Sequence, residues 1–272
     1  MNLKLSLIVG AILAGLAVPA HAQGLIWSLP ADGTSVRYEG DYLQVRKQND
    51  PSQEDITIQL RRVITLKSVG TEDAEFQGKQ QPCRWLEIKS ETGNIIADKL
   101  EVGPGSGRIY KILVPEATIQ GRTDVTVADD RHIHISFIPI IKGFRKIGDN
   151  PVEPIESGVF ELYPLISLLR HYMELAPEGD AHEVAVPAGS FEAILQKGTM
   201  IMETPSQRST NTAEMERSQK FPFGIAKWTA VSTVEAKGTT ENRADFKPWI
   251  TVTETMEATA IETGAQSELT EK

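Results

Sequence analysis

The sequence predicts a mainly β protein of α+β composition, built on an antiparallel sheet. Three observations predict this class. Apolar and polar residues alternate with a period of two downstream of Asp55, short segments of similar character recur between turn residues, and a single stretch follows the period of a helix. An antiparallel sheet of this kind can keep one face in water.

The first 22 residues predict a cleaved signal peptide. Residues 1–4 include a lysine, residues 5–18 are apolar or small, and Ala20-His21-Ala22 provides the small-x-small pattern that precedes cleavage. A transmembrane anchor is the alternative, but a helix that spans a bilayer needs about 20 apolar residues. We therefore expect a mature chain that begins near Gln23, is exported to the periplasm or the extracellular medium, and has no membrane span after cleavage.

The clearest strand lies between residues 56 and 67. Isoleucine or leucine occupies positions 56, 58, 60, 64 and 66, whereas positions 57, 59, 61, 65 and 67 are polar. A period of two places the apolar side chains on one buried face. Arg62 and Val63 interrupt the alternation, which predicts a β-bulge or a bend in the middle of a long strand.

Further strands are predicted where short apolar segments stand between turn residues. A turn at Lys197-Gly198 is expected to join two of them, residues 190–195 and 199–203. The other segments are residues 36–45, 85–88, 109–114, 125–127, 132–138, 225–234 and 250–256.

One covering helix is predicted between Leu162 and Met173. Apolar residues at 162, 165, 166, 169, 172 and 173 share one helical face, and Pro164 suits a first turn. Because residues 149–154 are typical of a linker, a division of the β-rich globular region 23–256 into two sub-domains near 149–157 stays open. Aromatic residues are absent from 257–272 and acidic and small residues dominate, which predicts a disordered acidic tail.

Charge and cysteine content narrow the partners and the chemistry. The formal net charge of −9 argues against nucleic acid, whose binding depends on basic side chains. Cys83 is the only cysteine, so an intramolecular disulfide is impossible. It fits a small buried hydrophobe; an intermolecular disulfide, or a nucleophile activated by Arg84, is the alternative.

His132 and His134 are the residues closest to a metal-site pattern. In a strand both imidazoles share one face, and Asp130 falls on that face if the strand extends so far. A zinc or copper site needs at least three ligands and no second cluster accompanies the pair, so two surface histidines are the simpler interpretation. Asp129 and Asp130, adjacent in sequence, resemble a turn rather than an acid/base pair.

Two other motifs suggest ligand contacts without defining a site. The run Gly103–Gly107 lacks the Lys-Ser/Thr pair of a phosphate-binding loop and predicts a flexible connection between strands. Lys142, Arg145 and Lys146 could meet an anionic lipid head group or an acidic polymer, although a solvated turn is the usual meaning of so short a cluster.

Trp228 and Trp249 are explained by core packing or by the lining of an apolar pocket. The sequence therefore assigns no catalytic, cofactor-binding or metal-binding residue.

Several runs resemble those of exported bacterial proteins. Trp27–Gly33, Arg108–Glu116 and Tyr163–Leu165 are similar to runs in a family of uncharacterised exported proteins. Val186–Phe191 and Phe221–Trp228 resemble a pattern in periplasmic proteins related to the outer-membrane lipoprotein carrier fold. That resemblance implies a strongly curved antiparallel sheet, an incomplete barrel, whose concave apolar face is covered by helical segments. It carries over no active site.

The expected function is that of an exported, non-enzymatic cell-envelope protein that binds a lipid or another apolar ligand. The alternative is a structural or protein-interaction module that meets an envelope protein through sheet edges or an exposed apolar patch. An enzyme is the third hypothesis, and it would need His132 and His134, or Cys83, in a cleft with convergent polar groups.

Overall fold

The computed structural model describes residues 24–48, 50, 52–119, 124–128, 131–135, 138–155, 166–170, 172 and 174–269. It confirms a mainly β protein. Eleven strands form one antiparallel sheet that does not close into a barrel, in the order β8-β7-β4-β3-β2-β1-β13-β12-β11-β10-β9, and β5 and β6 form a separate hairpin.

The strands of the first half are long hairpins with a few short additions. The bounds are β1 Ser35–Arg46, β2 Ile56–Phe76, β3 Lys79–Ile96, β4 Lys99–Pro115, β5 Asp124–Ala128, β6 Arg131–Ile135, β7 Lys142–Ile147 and β8 Glu153–Pro154. The second half is a run of five antiparallel strands, β9 Glu174–Val186, β10 Gly189–Glu203, β11 Gln207–Arg217, β12 Ile225–Ala236 and β13 Lys247–Glu262. Three short 3-10 turns, Glu116–Thr118, Pro222–Gly224 and Arg243–Asp245, are also described.

One face of the sheet carries the main core. Alternate residues of successive strands point to this face, which we call the core face, and they form one continuous apolar cluster. Its central members include Val36, Tyr38, Ile64, Leu66, Leu86, Ile88, Ile112, Met215, Trp228 and Met256. The opposite face, the outer face, has a small separate cluster around Cys83, Trp85 and Leu113.

The sheet curls toward its core face. The Ala188 N–H, in the turn between β9 and β10, donates a hydrogen bond of 3.1 Å to the carbonyl oxygen of Ala258 in β13, although β10, β11 and β12 lie between them in the sheet. The two halves that the sequence places on either side of 149–157 belong to this one sheet, because β1 pairs with β13 along its whole length.

The bulge expected at Arg62 and Val63 and the turn expected at Lys197-Gly198 are wrong, whereas the alternative of a long strand at 62–63 agrees with the 21 residues of β2. The pairing of β2 with β1 and with β3 runs without a register shift through Arg62 and Val63, so there is no bulge there. The alternation breaks because Arg62 is a buried charge on the core face and Val63 is buried on the outer face. Lys197-Gly198 is not a turn, because β10 passes straight through it and Lys197 pairs with Glu214 and Ala176 on its two sides.

The prediction of a covering helix is also wrong for the residues that the structure describes. Leu162 to Leu165, His171 and Met173 lie outside the described residues; Ile166 is helical, but residues 167–170 and Tyr172 are not, and β9 begins at Glu174. The apolar spacing arises because Ile166, Leu168, Leu169 and Tyr172 are buried in the core from an irregular segment. Side chains of the sheet, rather than helical carbonyls, bind its backbone.

The acidic tail differs from the disordered segment expected for 257–272. Residues up to Glu262 complete β13, residues 263–269 pack on the outer face, and Leu269 is buried. Alternation in Met256, Ala258 and Ala260 continues the strand despite the acidic composition, and hydrogen bonds to Glu87 hold the segment that follows. Residues 270–272 lie outside the described part.

Both edges of the sheet carry features that oppose strand addition. The edge strand β8 has two residues, one of them Pro154. The edge strand β9 contains Pro177 and a register shift near Gly179, and Glu178 and Glu183 are exposed along it. Short length, proline, bulges and charge are common protections of sheet edges.

Among the helices of the described residues, none is long and apolar enough to cross a membrane.

Candidate functional site

A segment without regular structure crosses the core face. We call residues 166–170 and 172 the strap. Its path is marked by hydrogen bonds: Ser90 Oγ in β3 donates to the Ile166 carbonyl at 3.4 Å, and Asn211 Nδ2 in β11 donates to the Leu168 carbonyl at 3.1 Å. The strap therefore spans the sheet from β3 to β11 and beyond, because Tyr172 lies against β10.

Glu254 of β13 is the anchor of the strap. The residue is fully buried, and its Oε1 accepts hydrogen bonds from Ser167 Oγ at 2.6 Å, from the Leu168 N–H at 3.1 Å and from Trp228 Nε1 at 2.8 Å. A buried carboxylate is tolerated only where donors and a counter-charge surround it. Glu254 thus fixes two consecutive strap residues to the centre of the sheet.

Arg62 of β2 supplies the counter-charge. Its Nη1 lies 2.5 Å from Glu254 Oε2, its Nε donates to Thr92 Oγ1 at 3.0 Å, and its guanidinium carbon lies 4.4 Å from the centre of the Tyr42 ring. Burial raises the pKa of Tyr42, Arg62 opposes that shift and Glu254 adds to it. Thr92, Tyr42 and Trp228, all in strands of the sheet, therefore contact the Arg62–Glu254 ion pair.

Tyr172 closes the strap against β10. A Cβ atom built on Gly198 would lie 2.3 Å from Cγ of the Tyr172 ring, so only glycine leaves room for the ring there. The Tyr172 hydroxyl accepts a hydrogen bond from the Arg170 N–H at 3.2 Å. Burial raises the pKa of Tyr172 well above its usual value, so the phenol stays protonated.

Two polar groups beside the strap have no hydrogen-bond partner in the described part of the chain. Asn211 Oδ1 accepts nothing although Asn211 is 4% exposed, and Arg170 Nη1 donates to nothing although that atom is buried. Burial lowers the pKa of Arg170, and the carboxylate of Glu254 is one of the charges that opposes this shift. Most buried polar groups in native proteins are satisfied, so each exception calls for an explanation.

Beyond the strap, the core face ends in apolar residues that are partly open to solvent. Register places Ile58, Val252 and Met200 in one transverse row, which also contains the polar residues Gln44, Ser232 and Asn211. The next row outward contains Ile56, Ile250 and Met202, together with Arg46, Val234 and Ser209. We call six apolar residues of these two rows the apolar margin: Ile56, Ile58, Ile250, Val252, Met200 and Met202.

Exposure varies within the margin, and Ile250 of the outer row is half-buried. Val252 and Met200 pack against the main core, whereas Ile58 is 41% exposed, Ile56 44% and Met202 52%. Exposed apolar side chains mark a binding surface where they cluster. Val252 and Met200 link this set to the core, while polar residues of the same rows separate its members.

The outer face has open clefts of mixed polarity. One of about 420 Å³ lies over β1 and β10–β13 and is lined by more acids than bases, including Asp41, Glu214 and Glu257. A second of about 320 Å³ is lined by Lys89, Arg108 and Lys146. Neither resembles the apolar face beside the strap.

A second buried carboxylate lies on the outer face. Glu87 of β3 is fully buried; its Oε2 accepts from Ser267 Oγ at 2.7 Å and from the Glu268 N–H at 2.9 Å, and its Oε1 lies 3.0 Å from Lys67 Nζ. We call residues 264–269 the C-terminal clasp. Lys67 and Lys89 also bind the Glu268 carboxylate, at 2.6 and 3.1 Å.

The histidine pair is placed only by its backbone. His132 and His134 lie in β6, opposite Val127 and Val125 of β5, and their side chains lie outside the described part. Asp129 and Asp130 also lie outside it. Among the described residues no group of three or more His, Cys, Asp or Glu side chains is arranged to hold a metal ion.

Cys83 is buried on the outer face beside Trp85, in the environment expected of a small hydrophobe. Its Sγ lies 3.3 Å from the Gln81 carbonyl oxygen, and burial raises the pKa of the thiol. A raised pKa disfavours the thiolate that a nucleophile requires.

Of the basic cluster Lys142, Arg145 and Lys146, only Lys146 lies near the glycine run 103–107. Residues 103–106 bulge from the single strand β4, between Val102 and Gly107, rather than connecting two strands. Lys146 lines the same outer-face cleft as this bulge, Arg145 pairs with Glu153 at 3.1 Å, and Lys142 lies over the rings of Trp85 and Phe144.

The two tryptophans that the sequence singles out, Trp228 and Trp249, differ in burial. Trp228 is a core residue that binds Glu254, as core packing predicts. Trp249 is 37% exposed and lies near Arg46, so core packing does not explain it.

Sequence reasoning missed Arg62, Glu254, Asn211 and Arg170. A signal for two of them was present: Arg62 and Glu254 occupy positions whose neighbours two residues away, such as Ile64 and Met256, are apolar. A charge at a core-facing position of an alternating strand indicates a buried ion pair. The chain matches no protein-family model and no curated protein.

Proposed function

We propose that this is an exported, non-enzymatic protein of the cell envelope that binds a lipid or another apolar ligand at the apolar margin. The observation that carries the proposal is the continuity of the margin with the core. A bound acyl chain would extend the apolar cluster that already contains Val252 and Met200 and would cover Ile58 and Met202.

The energetics favour an acyl chain as the occupant. Removing apolar surface from water is worth about 25 cal/mol per Å², and the exposed margin residues are aliphatic rather than aromatic. The two rows also contain Gln44, Arg46, Ser232, Ser209 and Asn211, so a flexible chain would contact the aliphatic side chains between these polar ones. The signal-peptide pattern of residues 1–22 supports export to a compartment where lipids are handled.

The alternative of a protein-interaction module is less well supported. Pairing through a sheet edge would require an accessible strand, and β8 and β9 are protected by shortness, proline, a register shift and charge. An exposed apolar surface remains compatible with a protein partner, so the experiment below includes that outcome.

The test measures binding of the neutral fluorophore N-phenyl-1-naphthylamine to the mature chain, residues 23–272. We expect saturable binding that is displaced by a long-chain lipid. Ile58→Asn and Met202→Asn should each weaken binding by roughly fivefold, since each removes about 1 kcal/mol of apolar contact.

Ile201→Asn is the matched control. Ile201 neighbours Met202 in β10 and is equally exposed, at 53%, but it points to the outer face. An equal loss in Ile201→Asn, or no binding by the wild-type chain, would contradict the proposal. Concentration-dependent pairing of the protein through the margin, without fluorophore binding, would favour the interaction module.

A further inference from the structure

The charges around the strap do not balance. On the core face near the strap, the described residues place two guanidinium groups, Arg62 and Arg170, against the single carboxylate of Glu254. Glu87 is equally buried but belongs to the outer face, so it does not compensate. Among the described residues near the strap, one positive charge is therefore left without a carboxylate of its own.

Arg62 is fully engaged, so the excess charge belongs to Arg170. Arg62 already binds Glu254, Thr92 and the Tyr42 ring. Arg170 forms no ion pair with any described residue, and its buried Nη1 has no hydrogen-bond partner there. Arg170 is half-buried, and since arginine does not lose its proton at neutral pH, the desolvation of Nη1 has a cost that an anion beside it would offset.

The strap places Arg170 beside the apolar margin. Leu168, two residues before it, is bound to Asn211, which shares a transverse row with Met200 and Val252. Tyr172, two residues after it, packs on Gly198, which precedes Met200 by two positions on the same face. Arg170 is thus attached over β10 and β11, next to the inner row of the margin.

Asn211 provides independent support for an unfilled polar position at the same place. Its Nδ2 is committed to the Leu168 carbonyl, so its Oδ1 faces the interior as an acceptor without a donor. A buried acceptor left unsatisfied costs about 1–3 kcal/mol. A ligand head group that reaches the strap could relieve this cost through a hydroxyl.

We propose that the ligand of the margin is an amphiphile with a single anionic head group, and that Arg170 binds this head group while the acyl chain lies along the margin. The inference rests on the proposed function. A carboxylate and a phosphate monoester share the required chemistry, because either can accept hydrogen bonds from a guanidinium.

The test displaces N-phenyl-1-naphthylamine from the mature chain with three ligands of equal chain length: hexadecanoate, hexadecyl phosphate and 1-hexadecanol. We expect the better anion to displace the fluorophore at a concentration roughly tenfold lower than the alcohol, since a buried charge-assisted contact is worth that much or more. Preference for hexadecanoate indicates a fatty acid, and preference for hexadecyl phosphate indicates a lipid that ends in a phosphate monoester.

Variants assign the preference to Arg170. Arg170→Gln should abolish the preference while leaving displacement by 1-hexadecanol unchanged, and Arg170→Lys should retain most of it. Arg145→Gln is the control, because Arg145 pairs with Glu153 on β8, far along the sheet order from β10.

Two results would overturn the inference without touching the proposed function. The first is equal displacement by the alcohol and both anions in the wild-type chain, and the second is an Arg170→Gln variant that weakens all three ligands alike. If Arg170→Gln does not fold, the wild-type comparison and Arg170→Lys still decide the question. Failure of the fluorophore to bind at all would remove the proposed function and this inference with it.

Discussion

Glu254 and Glu87 are buried on opposite faces of one sheet, and each binds a crossing segment through a serine hydroxyl and a backbone N–H. Glu254 binds Ser167 and the Leu168 N–H, and Glu87 binds Ser267 and the Glu268 N–H. β2 supplies both counter-charges, since Arg62 and Lys67 are an odd number of residues apart and point to opposite faces.

The two segments differ in what else they bury. The strap adds four buried apolar side chains to the core, whereas the C-terminal clasp adds only Leu269. The clasp relies instead on charge, because Glu268 binds Lys67 and Lys89 and is 40% exposed at its side chain. We infer that similar carboxylate contacts set the position of each segment, while the apolar area it buries sets the free energy needed to release it from the sheet.

The largest expected effect is that of Glu254→Gln. The change removes the charge opposite Arg62 and replaces one of the two acceptor oxygens of the buried carboxylate with an NH2 donor, so the free energy of unfolding should fall by about 4 kcal/mol. Urea denaturation followed by tryptophan fluorescence measures it. A loss below about 1 kcal/mol would show that the hydrogen bonds around Glu254 rearrange, and it would contradict a stronger hold on the strap than on the clasp.

Glu87→Gln should cost less, about 2 kcal/mol, because Lys67 keeps Glu268 as a partner. The same urea experiment on this variant makes a matched pair with Glu254→Gln. We also expect residues 264–269 to become sensitive to proteases while the strap stays protected. A loss equal to that of Glu254→Gln would contradict the difference between the two faces.

The serines allow a finer test. Ser167→Ala removes a buried hydroxyl that both donates to Glu254 and accepts from the Leu169 N–H, and should cost about 1.5 kcal/mol. Ser267→Ala makes the same change in the partly exposed clasp and should cost about 0.5 kcal/mol. Chemical denaturation of both variants decides the order, and a reversed order would contradict it.

The smallest effect is a release of the clasp in acid. Burial alone would raise the pKa of Glu268, but hydrogen bonds from Lys67 and Lys89 outweigh it and hold the pKa below 4.5. The clasp therefore gains stability above pH 4.5 that is lost as pH falls through the lowered pKa of the folded state. Hydrogen exchange, corrected for intrinsic rates, should show reduced protection of residues 265–269 at low pH.

Lys67 sets the alkaline limit of the pH range in which the clasp is stabilised. Burial alone would lower the pKa of Lys67, but the hydrogen bonds that its ammonium donates to Glu268 and Glu87 outweigh burial and raise the pKa above 10.5. The contribution of Lys67 to stability is therefore present below pH 10.5 and is lost as pH rises through the pKa of the folded state. In the hydrogen-exchange experiment at low pH, an equal loss of protection in the strap would show that the strap and the clasp open together, and it would contradict a separate release of the clasp.

The strands were the predictable part of this protein. In β2 the alternation of residues 56–66 identifies the strand and its core face despite the interruption at Arg62 and Val63, and the segments at 109–114 and 225–234 likewise lie within β4 and β12. Sequence cannot show that Ser190 and Glu203 belong to one uninterrupted strand, because Lys197-Gly198 has turn composition and its extended conformation is set by pairing with β9 and β11.

The strap could not be predicted because its structure is decided by distant residues. Its apolar positions have helical spacing, but Glu254 and Asn211 bind its backbone from 86 and 43 residues away in the chain. Local pattern carries no information about such partners. The acidic composition of the clasp misled for the same reason, since Lys67 and Glu87 make an ordered segment of it.

The pairing of β1 with β13 constrains when this protein can fold. The first and last strands of the main sheet lie side by side at its centre, so the hydrogen bonds between Ser35 and Glu262 or between Arg46 and Ile250 await nearly the whole chain. Contacts so distant in sequence slow folding and leave early chains incomplete. β1 pairs with β2 early, but a chain emerging from a ribosome or a translocation pore would present the other edge of β1 unpaired until its last strand arrived, and a holding chaperone would protect that edge.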